Sequence, residues 1–205
     1  SRNGGPVPCL GPSVRRPVFA LFLCRSCGII TPMRTRSESA WMEQLNSFDP
    51  RERGEALAAL AARCGVEPPS ACPNVNMHMH SFFSYNAEGC SPSRLVWDAR
   101  RAGLYAAGLC DFDVLDGMEE FLAAGRTMGL RTAVHLETRA YFRERADVDI
   151  SSPGEPGVTY IMGAGFAQPL AEGTPQATGL ADLRARARTR NVDLIARINP
   201  HVPEI

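Results

Sequence analysis

The residues best suited to chemistry lie in three short stretches. In "NMHMHS", His78 and His80 stand two positions apart at the end of a short strand-like run. Strand side chains repeat with a period of two, so both imidazoles point to the same side. Two neutral imidazoles converging at a strand end suit a divalent transition metal such as zinc, manganese or iron. Met77 and Met79 face the other way and read as core. In "AVHLETRAY", Glu137 follows an apolar run, with His135 two residues earlier. A carboxylate here is a natural metal bridge or base, and the competing expectation is a surface glutamate paired with Arg139 or Arg143. In "GLCDFDVLDG", Asp111 and Asp113 flank Phe112 directly behind a hydrophobic stretch. Acids in that position are costly unless water, a metal or a partner takes them. By strand periodicity the two aspartates share one side and Phe112 takes the other, unless the chain has already turned.

The elements that must position these residues follow a regular order. Asp49-Pro50 opens a helix, with Asp as N-cap and Pro in the first turn; Ala56, Leu57, Leu60, Ala61 and Cys64 mark its apolar face and Gly65 ends it. "EPPSACPN" (67–74) reads as a linker. A strand over 74–79 then leads to a polar loop, and Ser91-Pro92 caps a helix over "SRLVWDARRAG". A strand over 105–110, a helix over 116–127 closed by Gly129, and a strand over 131–136 come next. The Gly/Pro-rich "SSPGEPGV" precedes a weaker apolar segment, "TYIMG", and a helix (180–190) and strand (192–198) complete the pattern. Strands alternating with helices of about three turns predict parallel βαβ units, because parallel strands need long crossovers. The pattern fits a doubly wound sheet or part of a (β/α) barrel, and both gather chemistry at the C-terminal ends of the strands. All three stretches fall there. "SPGEPG" (152–157) reads as either a connector or a loop over a substrate site.

Bulk properties narrow the setting. The chain has 205 residues, is 44% apolar and has no formal net charge, so no basic field argues for nucleic acid. No apolar run approaches the ~18 residues of a membrane span. Arg184, Arg186, Arg188 and Arg190 alternate and spread around a helix, which predicts a solvated face. Seven scattered cysteines predict free thiols in a reducing, cytoplasmic compartment; only Cys24 and Cys27 have a redox or zinc spacing. Residues 1–33 read as a disordered or non-native leader, with a basic-then-apolar run that imitates a signal peptide. Residues 34–73 read as a helical extension and 74–205 as the α/β domain.

The order HxHS, a loop ending in Gly, Ser-Pro before a helix, "CDFD", a helix, and an apolar strand ending in Glu resembles the PHP (polymerase and histidinol phosphatase) family over roughly residues 74–138, with weaker support to 201. The resemblance implies an α/β fold that is part of a distorted (β/α)7 barrel, incomplete at the C-terminal end. It implies divalent metal at the strand ends, with His78, His80 and Glu137 matching ligands, and hydrolysis of a small phosphorylated substrate by metal-activated water. Asp111 or Asp113 would ligate the ion or orient the water.

The departures from the family pattern carry equal weight. Phe112 replaces the ligand histidine of the family's TDHD motif; "SYNAEG" replaces SDG, with Glu88 as a displaced substitute; Asn199 stands where a further ligand histidine falls, with His201 two residues beyond. The remaining ligands suffice for one metal site and leave a trinuclear cluster out of reach, so fewer ions are expected. Three readings therefore stand open: a metal-dependent phosphoesterase, a degenerate PHP domain that binds ligand or metal without turnover, and an amidohydrolase-type HxH barrel acting on C–N bonds.

Overall fold

A computed structural model of the chain describes residues 37–65, 74–85, 87 and 89–202. The leader, the Cys24–Cys27 pair, nearly all of the 67–74 linker and Glu88 lie outside the described residues.

Two helices come first, α1 (Glu38–Gln44) and α2 (Pro50–Cys64). The Asp49 carboxylate accepts from the Arg51 amide at 2.8 Å and Pro50 occupies the first turn, so the expected start of α2 is built as read. Strand β1 (Val75–Met79) follows, then α3 (Pro92–Arg101), β2 (Ala106–Phe112), α4 (Met118–Met128) and β3 (Arg131–Tyr141). The Ser91 hydroxyl caps α3 by accepting from the Arg94 amide at 3.0 Å, and Gly129, left-handed at φ 59°, closes α4.

The sheet runs in the order β1-β2-β3 with β4 (Val158–Ala164) added at the edge beyond β3. It is a curled, half-barrel sheet in a mixed α/β fold, compatible with part of a barrel. The first three strands are parallel, as two helical crossovers require. β4 differs from the expected βαβ pattern: it is antiparallel to β3, from His135 opposite Ala164 to Tyr141 opposite Val158. Residues 142–157 hold one short 3-10 turn and no crossover helix, so the chain returns along the same edge. The strand expected over 192–198 is also corrected. It is the end of one long helix, α5 (Pro175–Ile198), capped by Thr174. No Gly or Pro interrupts 180–198, and Leu194, Ile195 and Ile198 have helical spacing; a short apolar run alone does not separate strand from helix.

Register assigns the two faces of the sheet. Ala107, Leu109 and Val134 are buried with Val96, Trp97, Phe121 and Met128 of α3 and α4, and with Leu45, Leu57 and Leu60 around α2. The opposite face carries the residues between them: Gly108, Cys110 and Phe112 of β2, beside Ala133, His135 and Glu137 of β3. Helices thus cover one face with core, and the polar residues of interest stand on the other.

Candidate metal centre

His78, His80 and Glu137 meet on the face opposite the helical core. The His78 Nε2 lies 3.1 Å from Glu137 Oε2 and the His80 Nε2 lies 3.5 Å from the same oxygen. The two rings are 5.0 Å apart at their centroids, edge to face. All three donor atoms lie within 4.8 Å of one another. Glu137 is buried (8% exposed), while the His78 side chain is 46% exposed and leaves one approach open to solvent. Glu137 turns toward the imidazoles, and Arg139 pairs with Glu155, which answers the surface-glutamate expectation.

The donor set fits a transition metal. Ions of this class bond imidazole nitrogen and carboxylate oxygen at ~2.0–2.2 Å, which puts adjacent ligands of a tetrahedron about 3.4 Å apart. The 3.1 and 3.5 Å separations match that edge without rearrangement. Burial holds the His80 pKa below the ordinary imidazole value, outweighing the Glu137 charge, so the ring is neutral and its lone pair available near neutral pH. The Cys110 backbone beside the ring acts with the Glu137 charge against that lowering. The Cys110 thiol beside it is pushed up to about 11, first by burial and then by the Glu137 and Asp111 charges, and stays protonated.

A bulge brings His78 into the group. Asn76 pairs with Ala107 and Met79 with Leu109, so Met77 and His78 together oppose Gly108. A Cβ on Gly108 would lie 2.6 Å from the Met77 carbonyl oxygen. Met79 packs against the core as expected, but Met77 is exposed at the bulge.

The structure does not bring Asp111 or Asp113 into the same group. Asp111 faces the helix side, fully buried, and accepts from both the Ser81 amide and the Ser81 hydroxyl at 2.6 Å. It fastens the end of β1 one residue beyond His80. Burial raises its pKa to about 6 against the lowering effect of those two bonds. At Asp113 the chain has already turned, with φ at 60°, a left-handed conformation that Asp tolerates better than most residues. Its amide donates to the Glu137 carbonyl at 2.9 Å, and its carboxylate accepts from the Thr138 hydroxyl at 2.7 Å. The two aspartates thus brace His80 and Glu137 from either flank. Ser81 and Thr138 are the partners that sequence reasoning missed; the serine directly behind the HxH was their one visible signal.

Phe112 is on the site face, level with Glu137, its ring edge-on to Tyr85 at 4.8 Å and near Tyr160 at 6.0 Å. His201 lies past α5 in an exposed turn.

No family model matches the chain. It is 31% identical over 111 residues to the error-prone DNA polymerase of Mycolicibacterium paratuberculosis, a match covering 48% of this chain and 10% of the polymerase. The chain thus spans about a tenth of the length of that curated relative. Among solved structures it resembles a proposed metal-dependent phosphoesterase from Bifidobacterium adolescentis, with a TM-score of 0.50 and 23% identity over 67% of this chain and 42% of the other. An amidohydrolase from Chromobacterium violaceum superposes with a TM-score of 0.49 and 20% identity over 64% of this chain and 40% of its own. The first likeness shows a shared fold. No helix among the described residues is long and apolar enough to cross a membrane.

Proposed function

We propose that the chain carries the metal-binding part of a phosphoesterase of the PHP type. The observation that carries this reading is the convergence of His78, His80 and Glu137 within 4.8 Å from β1 and β3, the two parallel strands that flank β2. A divalent ion held there would supply Lewis acidity toward a phosphoryl oxygen. His78 and His80 would hold it through imidazole nitrogens and Glu137 through a carboxylate oxygen, with Asp111 and Asp113 as positioning residues through Ser81 and Thr138. The exposed side of His78 leaves room for a small phosphorylated substrate.

The similarity to a phosphoesterase fold and to one stretch of a DNA polymerase supports the family reading. It leaves a nucleic-acid phosphate among the candidate substrates. A specific observation favours a second reading, binding without turnover: Phe112 puts a ring that cannot ligate on the site face beside Glu137. One experiment separates the two. The purified full chain is loaded with zinc, manganese or iron(II), its metal content measured, and turnover of 4-nitrophenyl phosphate followed with and without chelator. Chelator-sensitive turnover that His78→Ala abolishes supports the hydrolase. Bound metal without turnover supports the binding module, and a chain that holds no metal refutes both.

A further inference from the structure

One buried polar atom near the candidate centre has no role in the account above. The Nε2 of His135 is shielded from solvent and has no hydrogen-bond partner among the described residues. A buried polar group left unpaired costs stability, so an orphan nitrogen of this kind calls for a missing partner. Its position names the class of partner. His135 lies two residues before Glu137 on β3 and therefore on the same face of the sheet. In the register of β2 and β3 it stands opposite Cys110, two pairs before Phe112 and Glu137. The strand on the other side of Cys110 carries His80, since Met79 pairs with Leu109. At this level of the face only the small Cys110 side chain separates the two histidine-bearing strands, with Gly108 before it. Phe112, directly level with Glu137, offers no donor.

We propose that His135 is a fourth protein ligand of the metal centre, its Nε2 completing the set begun by His78, His80 and Glu137. An imidazole from β3 then serves the ion where β2 presents only Cys110 and Phe112. Without an ion the His135 donor atoms stand outside the 4.8 Å group, so ligation requires its ring to rotate toward the others. Four donors would make the centre a tightly held one, with fewer positions left for substrate than a three-ligand site leaves.

This inference rests on the metal-centre reading, and the test separates the two. Cobalt(II) is titrated into the full chain and into His78→Ala, His135→Leu and His135→Gln, with affinity read by competition against a chromogenic chelator and coordination read from the visible cobalt bands. Wild type binds and His78→Ala is impaired if the centre exists. His135→Leu is expected to lower affinity at least about tenfold and to change the cobalt bands. Its metal-free form should melt no lower than wild type, because the orphan nitrogen is gone. Wild-type affinity and bands in both His135 variants, with His78→Ala impaired, would overturn the ligand role and leave the centre standing. No binding by wild type would sink both. A measurement on unmutated protein guards against misfolded variants: in imidazole-nitrogen NMR, zinc should give three of the four histidines the shift of a metal-bound nitrogen, with His201 unmoved. Two shifted histidines would refute the proposal.

Discussion

Asp111 shows how one carboxylate serves the site without entering it. It is held by two bonds from Ser81, yet burial raises its pKa to about 6. Between the ordinary carboxyl range and about pH 6 the folded protein keeps a proton that the unfolded chain has lost. Stability from this group is therefore full at low pH and declines as pH rises through that window, by up to roughly 3 kcal/mol. Urea melts from pH 4 to 7 should show Asp111→Asn gaining on wild type across the window; a constant difference would contradict the assignment. At the neighbouring position, Phe112→His should strengthen metal binding in chelator competition, because the site face gains a donor level with Glu137. Replacing a buried ring by a polar one should cost about 1–3 kcal/mol in the metal-free protein.

At the scale of elements, the site depends on how strands meet. The β1 bulge places two residues opposite Gly108, and a methyl there would strike the Met77 carbonyl. Gly108→Ala should destabilise the protein by about 1–3 kcal/mol and weaken metal binding, since the bulge that carries His78 must shift. Thermal melting and cobalt titration together check this; a loss of stability with unchanged affinity would show that the bulge does not set His78. Most of these elements were legible in the sequence. Asp49-Pro50, Ser91-Pro92 and Gly129 are local signals, and local physics fixes the helix ends they mark. The direction of β4 and the helical state of 192–198 were not, because a strand's partner and a short apolar run's state depend on what the rest of the chain offers.

At the scale of the molecule, the helical segment before β1 is joined to the α/β part by more than apolar packing. Arg53 on α2, 3% exposed, donates to Glu120 on α4 through Nε at 2.8 Å and also through Nη2. Glu120 in turn accepts from the Ser93 amide and hydroxyl on α3 at 3.0 and 2.8 Å. Removing one partner leaves a buried charge, so Arg53→Ala should cost about 3–5 kcal/mol, read from chemical denaturation. Metal acts on the whole fold in the opposite sense: zinc at a hundred times its Kd should add about 2.7 kcal/mol, and a chelator should remove it. A melting temperature indifferent to zinc would count against the centre. The sequence by itself determined the helix caps and the order of elements from α2 to β3, because those signals are local, and it singled out His78, His80 and Glu137 as candidates by residue type and spacing. Only the tertiary structure decided that Asp111 and Asp113 brace the site, that Phe112 faces it and that Arg53 ties three helices together. Those outcomes turn on register, burial and partners brought from 24 or more positions away, and no local pattern encodes them.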